Sequence, residues 1–575
     1  MTDSFGEQNN GGKKSFSKRA YGDKSGRSGQ RSSSGDRKSG AGYQSRGSQN
    51  TDADSRFSGE RSEGRSSYSG NGHSGHGNNH FGGNAGHRSS HFSGNRSERQ
   101  GSRSATTQPS GGTGRMFGRS PSDKPQLSTG LSMNARRVAL QVLCDVHENG
   151  AYASISLEKR LREAFLKPED RALVTELVYG TIEKQNQIDY VLEKFVDHPV
   201  QKPSQTDILR MGVYQILFLD RVPDFAAVDE AVKLVKILGM EEASGFINAV
   251  LRNIVRGKST LEWPTKEQDQ RDYWHIMGNM PLWLIDRLVE AYGEEGADSI
   301  IMNRPTEHCV VVRPNLTRLT DAEFEAFLTK KGWNWRKGLA PHAYLLSGAK
   351  HVAIDPDYLK GQFSIQGQSS ILCAECMQAK PGMKLLDACA APGGKSAYLC
   401  ETMSMTGRVY SWEVHEKRAA LLEATRKRLG LDNMRVTVRD STVYKEDWEN
   451  TLDGVLLDAP CSGTGVIAQK PDIPARLQES DLPEIVALQE RLLNTVCSYV
   501  KPGGRLIYST CSILPEENSQ RIESFLKEHP EFEMMPLPDC FPEELRELQT
   551  PNGLQLIGHR DDVEGFFIAV MRRIR

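Results

Sequence analysis

Apolar residues recur at helical spacing from Asn134 to about Arg256. Ala139, Val142, Leu143 and Val146 form one stripe, Val228, Ala231, Val232 and Val235 another, and Leu209, Val213, Ile216 and Leu217 line a similar face. No strand alternation interrupts them, so the spacing predicts an all-α bundle of about 120 residues with turns marked by Pro168, Pro203 and Pro223. Between about 280 and 360 the pattern is mixed. Cys309 to Arg313 reads as a strand and Asp321 to Lys331 as a helix capped by Thr320, which predicts a small α+β module. From about 361 onward, apolar runs alternate with helical stretches: Lys384 to Asp387, Arg408 to Glu413, Arg435 to Val438, Gly454 to Asp458, Arg505 to Ser509 and Phe566 to Met571. That alternation predicts a doubly wound, parallel α/β sheet with ligands at the strand carboxyl ends.

Residues 1 to 130 show neither period. They hold 26 of the 53 Gly, 28 Ser and none of the 10 Cys, a composition that cannot bury a core and predicts a disordered arm. The arm carries 20 Lys and Arg against 10 Asp and Glu, and the rest of the chain 53 against 64, so the overall charge of -1 joins a basic arm to an acidic body. Arginine among glycine, with Tyr43, Phe57, Tyr68 and Phe81, suits loose contact with single-stranded nucleic acid, and a solubilising tail is the plainer alternative. His73, His76, His80, His87 and His91 read as solvated side chains, and no metal is expected. The chain thus divides into an arm (1–130), a helical domain (131–258), a linker with the α+β module (259–360) and the sheet domain (361–575). No run of about 18 apolar residues exists to span a membrane. No secretory signal is expected at the N-terminus, and scattered cysteines fit a reducing compartment, so the expected location is cytoplasmic. Nothing implies an oligomer.

The unusual residues cluster at the strand ends. The first strand ends at Asp387 and runs into Ala388, Cys389, Ala390, Ala391, Pro392, Gly393, Gly394 and Lys395 before a helix, small residues that let backbone N–H groups approach a ligand. The loop lacks the dinucleotide fingerprint and the spacing of a P-loop, which disfavours hydride transfer and NTP hydrolysis. The second strand ends at Glu413, placed to meet ribose hydroxyls, and the third leads to Asp440, placed to accept from an adenine amino group. Together they describe a site for an adenosyl cofactor. The fourth strand ends in Asp458, Ala459, Pro460 and Cys461, and the fifth in Ser509, Thr510 and Cys511, so two thiols and an acid fall on neighbouring strand tips. Thiols beside an adenosyl cofactor suit methylation of cytosine C5, where a thiolate adds to C6 and the acid holds N3 and the N4 amino group. Bare chemistry leaves open which cysteine attacks. Cys373 and Cys376 form an isolated C-x-x-C, read as half-buried thiols on a helix, and Lys470, Arg476, Arg418 and Arg521 are candidates for an RNA channel.

The strings LLDACAAPGGKS (385–396), LLDAPCSGTGVIAQKPDI (456–473) and YSTCSILPEENSQRI (508–522) resemble the S-adenosylmethionine-dependent RNA cytosine-C5 methyltransferases of the Sun/Nop2 type, a likeness covering about 280 to 575. The helical segment resembles the RNA-binding domain of the antitermination factor NusB. The resemblance implies a class I methyltransferase fold, S-adenosyl-L-methionine as cofactor and, from the pairing of the two domains, 16S ribosomal RNA as substrate, expected to be met before full subunit assembly. It implies Cys511, in Thr-Cys-Ser, as nucleophile and Cys461, in Pro-Cys, as the thiol assisting release; DNA cytosine-C5 methyltransferases instead use the Pro-Cys thiol to attack. Cys389 to Lys395, Glu413, Asp440 and Asp458 match the family's cofactor contacts, and Asp458 also adjoins the base. Relatives commonly carry Asp where this chain has Glu413. The same chemistry on tRNA or DNA, or a non-catalytic RNA-binding role, are the alternatives.

Overall fold

Residues 134–197, 200, 202–303, 309–558 and 563–575 are described by a computed structural model; the arm, with its aromatic and histidine residues, lies outside them. Asn134 starts the first helix by accepting the Arg136 N–H at 2.9 Å, and Gly150 ends it in the left-handed region at φ 63°. Seven helices follow one another: α1 (Ala135–Asn149), α2 (Ala153–Glu163), α3 (Pro168–Glu183), α4 (Gln185–Phe195), α5 (Pro203–Phe218), α6 (Asp224–Ile237) and α7 (Ser244–Gly257). Pro168 and Pro203 occupy the first turns of α3 and α5, where a missing N–H costs nothing, and Pro223 caps α6. The stripes read from the sequence close into one core in which Val142, Leu143, Leu209, Val213, Ala231 and Val235 are buried.

α8 (Gln270–Met277) and the long helix α9 (Leu282–Met302) come next, the latter broken at Gly293, whose φ of 70° leaves helical space. Trp274, in the segment that reads as linker from the sequence, is buried and donates to Asp298 Oδ1 at 2.7 Å. α9 packs Leu284, Ile285, Leu288 and Ile301 against Ile467, Ile473, Ile513 and Leu514, so it supports the loops that follow Cys461 and Cys511.

The small module is an antiparallel sheet of β1 (Cys309–Pro314), β2 (Asn334–Lys337), β3 (Tyr344–Ser347) and β4 (Phe363–Ile365), ordered β2-β3-β1-β4. Its sheet runs to Ile365, past the 360 limit read from the sequence, because Val312 pairs with Ile365 and Pro314 with Phe363. α10 (Asp321–Lys331) has the expected Thr320 cap, here a full capping box with Glu323, and α11 (Pro356–Leu359) precedes β4. α12 (Gln368–Glu375) leads into the large sheet. Cys373 and Cys376 are fully buried, deeper than the half-buried placement expected, since they face the core shared with Leu385 and Leu456.

In the large sheet, β5 (Lys384–Asp387), β6 (Arg408–Glu413), β7 (Met434–Val438), β8 (Leu452–Asp458) and β9 (Val500–Thr510) are parallel. β10 (Phe532–Met534), β11 (Leu554–Leu556) and β12 (Phe566–Arg573) close one edge antiparallel, giving the order β10-β12-β9-β8-β5-β6-β7 with β11 beside β12. The last strand is thus antiparallel, a departure from the all-parallel expectation: β11 ends at Leu556 and β12 begins at Phe566, too little chain for a crossover. α13 (Gly394–Thr402), α14 (Glu416–Leu429), α15 (Ile473–Arg476), α16 (Leu482–Val496), α17 (Ser519–Glu528) and α18 (Glu543–Arg546) complete the domain. Strand order reverses between β5 and β8, and every strand end singled out from the sequence meets at that switch point.

Candidate active site

Asp387 closes β5 with 1% exposure; Ser396 Oγ donates to its Oδ2 at 2.6 Å, and among the described residues its Oδ1 has no partner. Burial pushes this carboxyl up to about 7. The following loop is pinned to β6 by the Ala390 N–H on the Trp412 carbonyl at 2.9 Å, passes through a cis Ala391–Pro392 bond and reaches Gly393 at φ 111°. A Cβ at Gly393 would also come within 3.0 Å of Leu422 Cδ2, so glycine is required twice over. Gly394 and Lys395 open α13, which aims its N-terminal N–H groups at the rim.

Glu413, 3% exposed at the end of β6, accepts the His415 N–H at 3.0 Å through Oε1, while Arg418 approaches its Oε2 at 3.4 Å. Arg418 also donates to the Ala391 carbonyl at 3.1 Å and so braces the cofactor loop, with its side chain half exposed. Asp440 is exposed beyond β7; the Thr442 N–H and hydroxyl, at 2.8 and 2.7 Å from its Oδ1, hold its carboxyl below the usual range. Ser441 Oγ reaches the Ala388 carbonyl at 2.6 Å and ties this tip to the glycine loop. A small-residue loop, a recessed acid and an open acid on three adjacent strands fit the amino-acid, ribose and adenine parts of S-adenosyl-L-methionine in turn, and the free Oδ1 of Asp387 leaves an acceptor beneath the loop.

Next to it, β8 and β9 bring Cys461 and Cys511 together with 3.2 Å between sulfurs, both half-buried and both unoxidised. Asp458 accepts Lys395 Nζ on Oδ2 and Ser509 Oγ on Oδ1, each at 2.8 Å. Lys395, expected on the cofactor, therefore spans from the glycine loop to Asp458, with its ammonium 5.1 Å from the Phe566 ring centre. The Cys511 thiol is lowered by its hydrogen-bond contact with Cys461; burial and Asp458 oppose this, and Lys470 and Lys395 assist. The same bond, with burial, raises Cys461. The two thiols are thus driven apart, Cys511 downward and Cys461 upward.

Sequence reasoning missed Glu517, which is fully buried behind the pair. Its carboxylate accepts the Ser462 N–H at 2.9 Å, the Ser462 hydroxyl, the Ser512 hydroxyl at 2.5 Å and Gln489 Nε2 at 2.9 Å. The only sequence signal was its position six residues after Cys511, inside PEENS. Of the channel candidates, Lys470 is exposed near Cys511. Arg521 is a correction: it is 8% exposed, paired with Glu490 at 3.4 Å and donating to the Val486 carbonyl, because its place on the inner face of α17 buries it against α16. Arg476 reaches across to the helical domain, donating to the Gly150 carbonyl at 3.2 Å and lying 3.7 Å over the Tyr152 ring, while Asp472 accepts the Ala153 N–H at 3.4 Å.

A doubly wound sheet with an adenosyl-cofactor edge and a cysteine pair on the neighbouring strands, joined to a helical bundle, defines a methyltransferase of the S-adenosylmethionine-dependent class. The family model "16S rRNA methyltransferase RsmB/F" matches residues 374–572 and that of the NusB family residues 133–256. The probable ribosomal RNA small subunit methyltransferase B of Bacillus subtilis (strain 168) is 35% identical over 449 residues, covering 76% of this chain and 99% of the relative. The ribosomal RNA small subunit methyltransferase B of Escherichia coli O1:K1 / APEC is 32% identical over 447 residues, covering 76% and 98%. The crystal structure of PH0851 superposes with a TM-score of 0.66 at 25% identity, covering 77% of this chain and all of that one. The chain belongs to the ribosomal RNA small subunit methyltransferase B family. Among the described residues no helix is long and apolar enough to cross a membrane.

Proposed function

We propose that this protein methylates C5 of a cytosine in 16S ribosomal RNA, with Cys511 as nucleophile, Cys461 as the thiol assisting release and Asp458 as the acid that holds the base. The carrying observation is the 3.2 Å cysteine pair beside Asp458, on strand tips next to the glycine loop. Residues Cys389 to Lys395, Glu413, Asp440 and Asp458 would hold S-adenosyl-L-methionine, which when bound supplies an electrophilic methyl group.

C5 of cytosine is a weak nucleophile, so the reaction starts at C6. The Cys511 thiolate forms a bond to C6, and the displaced electron pair moves to N3, which takes a proton. Asp458, ion-paired with Lys395, accepts from that N3–H, whose proton comes from water, and from the N4 amino group, and so stabilises the ring as charge shifts. The enamine so formed makes C5 nucleophilic toward the methyl group. Loss of the C5 proton to water then forms the C5–C6 double bond, breaks the Cys511–C6 bond and returns the thiolate, and N3 gives its proton back to water. Cys461, adjacent and protonated, is the group placed to assist this expulsion. The base must leave its RNA stack to reach sulfurs that lie half-buried at the rim.

Bisulfite sequencing of 16S rRNA from a strain lacking the protein should show loss of one methylcytosine, restored by the wild-type chain and not by Cys511→Ser. Cys461→Ala should accumulate a protein–RNA adduct in a denaturing gel. Methylation by Cys511→Ser, or a modified tRNA with unaltered 16S rRNA, would overturn the respective part of the assignment.

A further inference from the structure

Asp458 has a lysine beside it; Glu517 has none. No Lys, Arg or His hydrogen-bonds or ion-pairs with its carboxylate among the described residues, and all four bonds it accepts come from neutral groups. A fully buried carboxylate without a counter-cation is costly, and neutral donors stabilise it only when several converge. Those donors have a pattern. Two belong to Ser462, next to Cys461, and one to Ser512, next to Cys511. The fourth, Gln489 Nε2, also holds the Pro460 carbonyl at 2.9 Å, on the other side of Cys461.

We propose that Glu517 is the positioning residue of the cysteine pair: it clamps the two cysteine loops in register and, by its charge, confines the thiolate to Cys511. This rests on the reading of Cys511 as nucleophile.

The clamp is rigid on its own side. The Tyr508 hydroxyl donates to the Glu517 carbonyl at 2.7 Å, Thr510 Oγ1 to Asn518 Oδ1 at 2.6 Å, and Asn518 Nδ2 to the Ser512 carbonyl at 2.9 Å. The charge is directional. The groups facing the pair are Asp458, Glu517, Lys395 and Lys470; Asp458 raises both thiols, Glu517 raises Cys461, and Lys470 and Lys395 lower Cys511. Two thiols on equivalent strand tips are thereby made unlike.

The test is site-resolved alkylation of the full-length protein without RNA, using iodoacetamide and peptide mass spectrometry. Wild type should label at Cys511 first. Glu517→Gln removes the charge at nearly constant size, and the preference for Cys511 over Cys461 should fall about tenfold or more, the change in thiolate population made by one pKa unit. Glu517→Asp, which keeps the charge but cannot reach every donor, should regain the preference while the rate of RNA adduct formation stays low. A purely structural role would lower the melting temperature and leave the labelling order as in wild type, and that result overturns the assignment. Should Glu517→Gln fail to fold, Ser512→Ala is the second variant: slower adduct formation with unchanged labelling order supports the clamp, and an unchanged adduct rate overturns it. Because alkylation needs no substrate, failure of the methylation reading shows separately, as methylcytosine made by Cys511→Ser.

Discussion

Replacing Arg313 with methionine removes one half of an ion pair that has no access to water. Arg313 and Glu401 are both 0% exposed, with Nη1 at 2.6 Å from Oε2 and Nη2 at 3.2 Å from Oε1. The guanidinium also donates to Gln366 Oε1 at 2.8 Å and the Pro314 carbonyl at 3.1 Å, and stacks 4.9 Å from the Tyr398 ring centre. Glu401 has a single further donor, the Leu316 N–H at 3.0 Å. In Arg313→Met the carboxylate stays buried with that one bond, a situation that costs about 3–5 kcal/mol. At about 2–4 °C per kcal/mol for a domain of this size, the melting temperature should fall by about 6–20 °C.

The pair also has a place in the site. Arg313 belongs to β1 and Glu401 to α13, so the bond joins the small module to the helix that begins at the glycine loop. Gln366, held by Arg313, packs its Cδ 3.3 Å from where a Cβ on Gly394 would stand. Weaker cofactor binding should therefore accompany the lost stability. The assay is urea unfolding of wild type, Arg313→Met, Glu401→Leu and the double variant. The double variant, with no buried charge left, should be more stable than Arg313→Met. A loss under about 1 kcal/mol for Arg313→Met, or a double variant no better than it, refutes the reasoning.

Lys395→Gln removes a cation that lowers Cys511 and leaves Asp458 unopposed, so the acid limb of the pH–rate profile for adduct formation should move to higher pH. Asp387→Asn should flatten the pH dependence of stability. The buried carboxyl is protonated in the folded chain between the ordinary 3.8 and about 7 while the unfolded chain is ionised there, so wild-type stability falls as pH rises through that window, by on the order of 4 kcal/mol, and the variant should lack the slope in urea titrations at pH 4 to 8. Gly465→Ala places a Cβ 2.2 Å from the Gly565 carbonyl oxygen and 2.9 Å from that of Cys511, both backbone, so the thiol loops must shift; methylation should fall at least tenfold with a stability loss of about 1–3 kcal/mol.

The strand tips were legible because their chemistry is local. Asp387, Glu413, Asp458 and Cys511 each end an apolar run, and such runs in a doubly wound sheet converge on one edge whatever the details of packing. The bundle was legible for the same reason, since a helical stripe declares its own buried face. What escaped depends on distant partners. Arg313 reads as the charged end of a strand, yet its partner lies 88 residues on, in another element. β2 exposes three of its four residues and so carries no alternation to detect. Glu517 sits in an acidic, proline-led turn that looks solvent-exposed, and only the fold places Ser462 and Gln489 around it. Arg521 shows the opposite error: a basic side chain near the site reads as an RNA ligand, and the fold uses it on Glu490.

Arg476 and Asp472 place the helical domain in the same argument. They stand on the segment that follows the Cys461 loop, and they hold the corner between α1 and α2 through Gly150, Tyr152 and Ala153. Ile473, between them in sequence, packs in the core that α9 shares with Ile513, two residues after Cys511. Tyr292 on α9 donates to the Ile513 carbonyl at 2.5 Å. The bundle and the linker helix thus fasten to the two thiol loops themselves and not to the back of the sheet. Under the proposed function, an RNA element bound to the bundle would be held at a fixed offset from the sulfurs, and selection of one cytosine among many would follow from that offset more than from contacts to the base, which every cytosine would make alike.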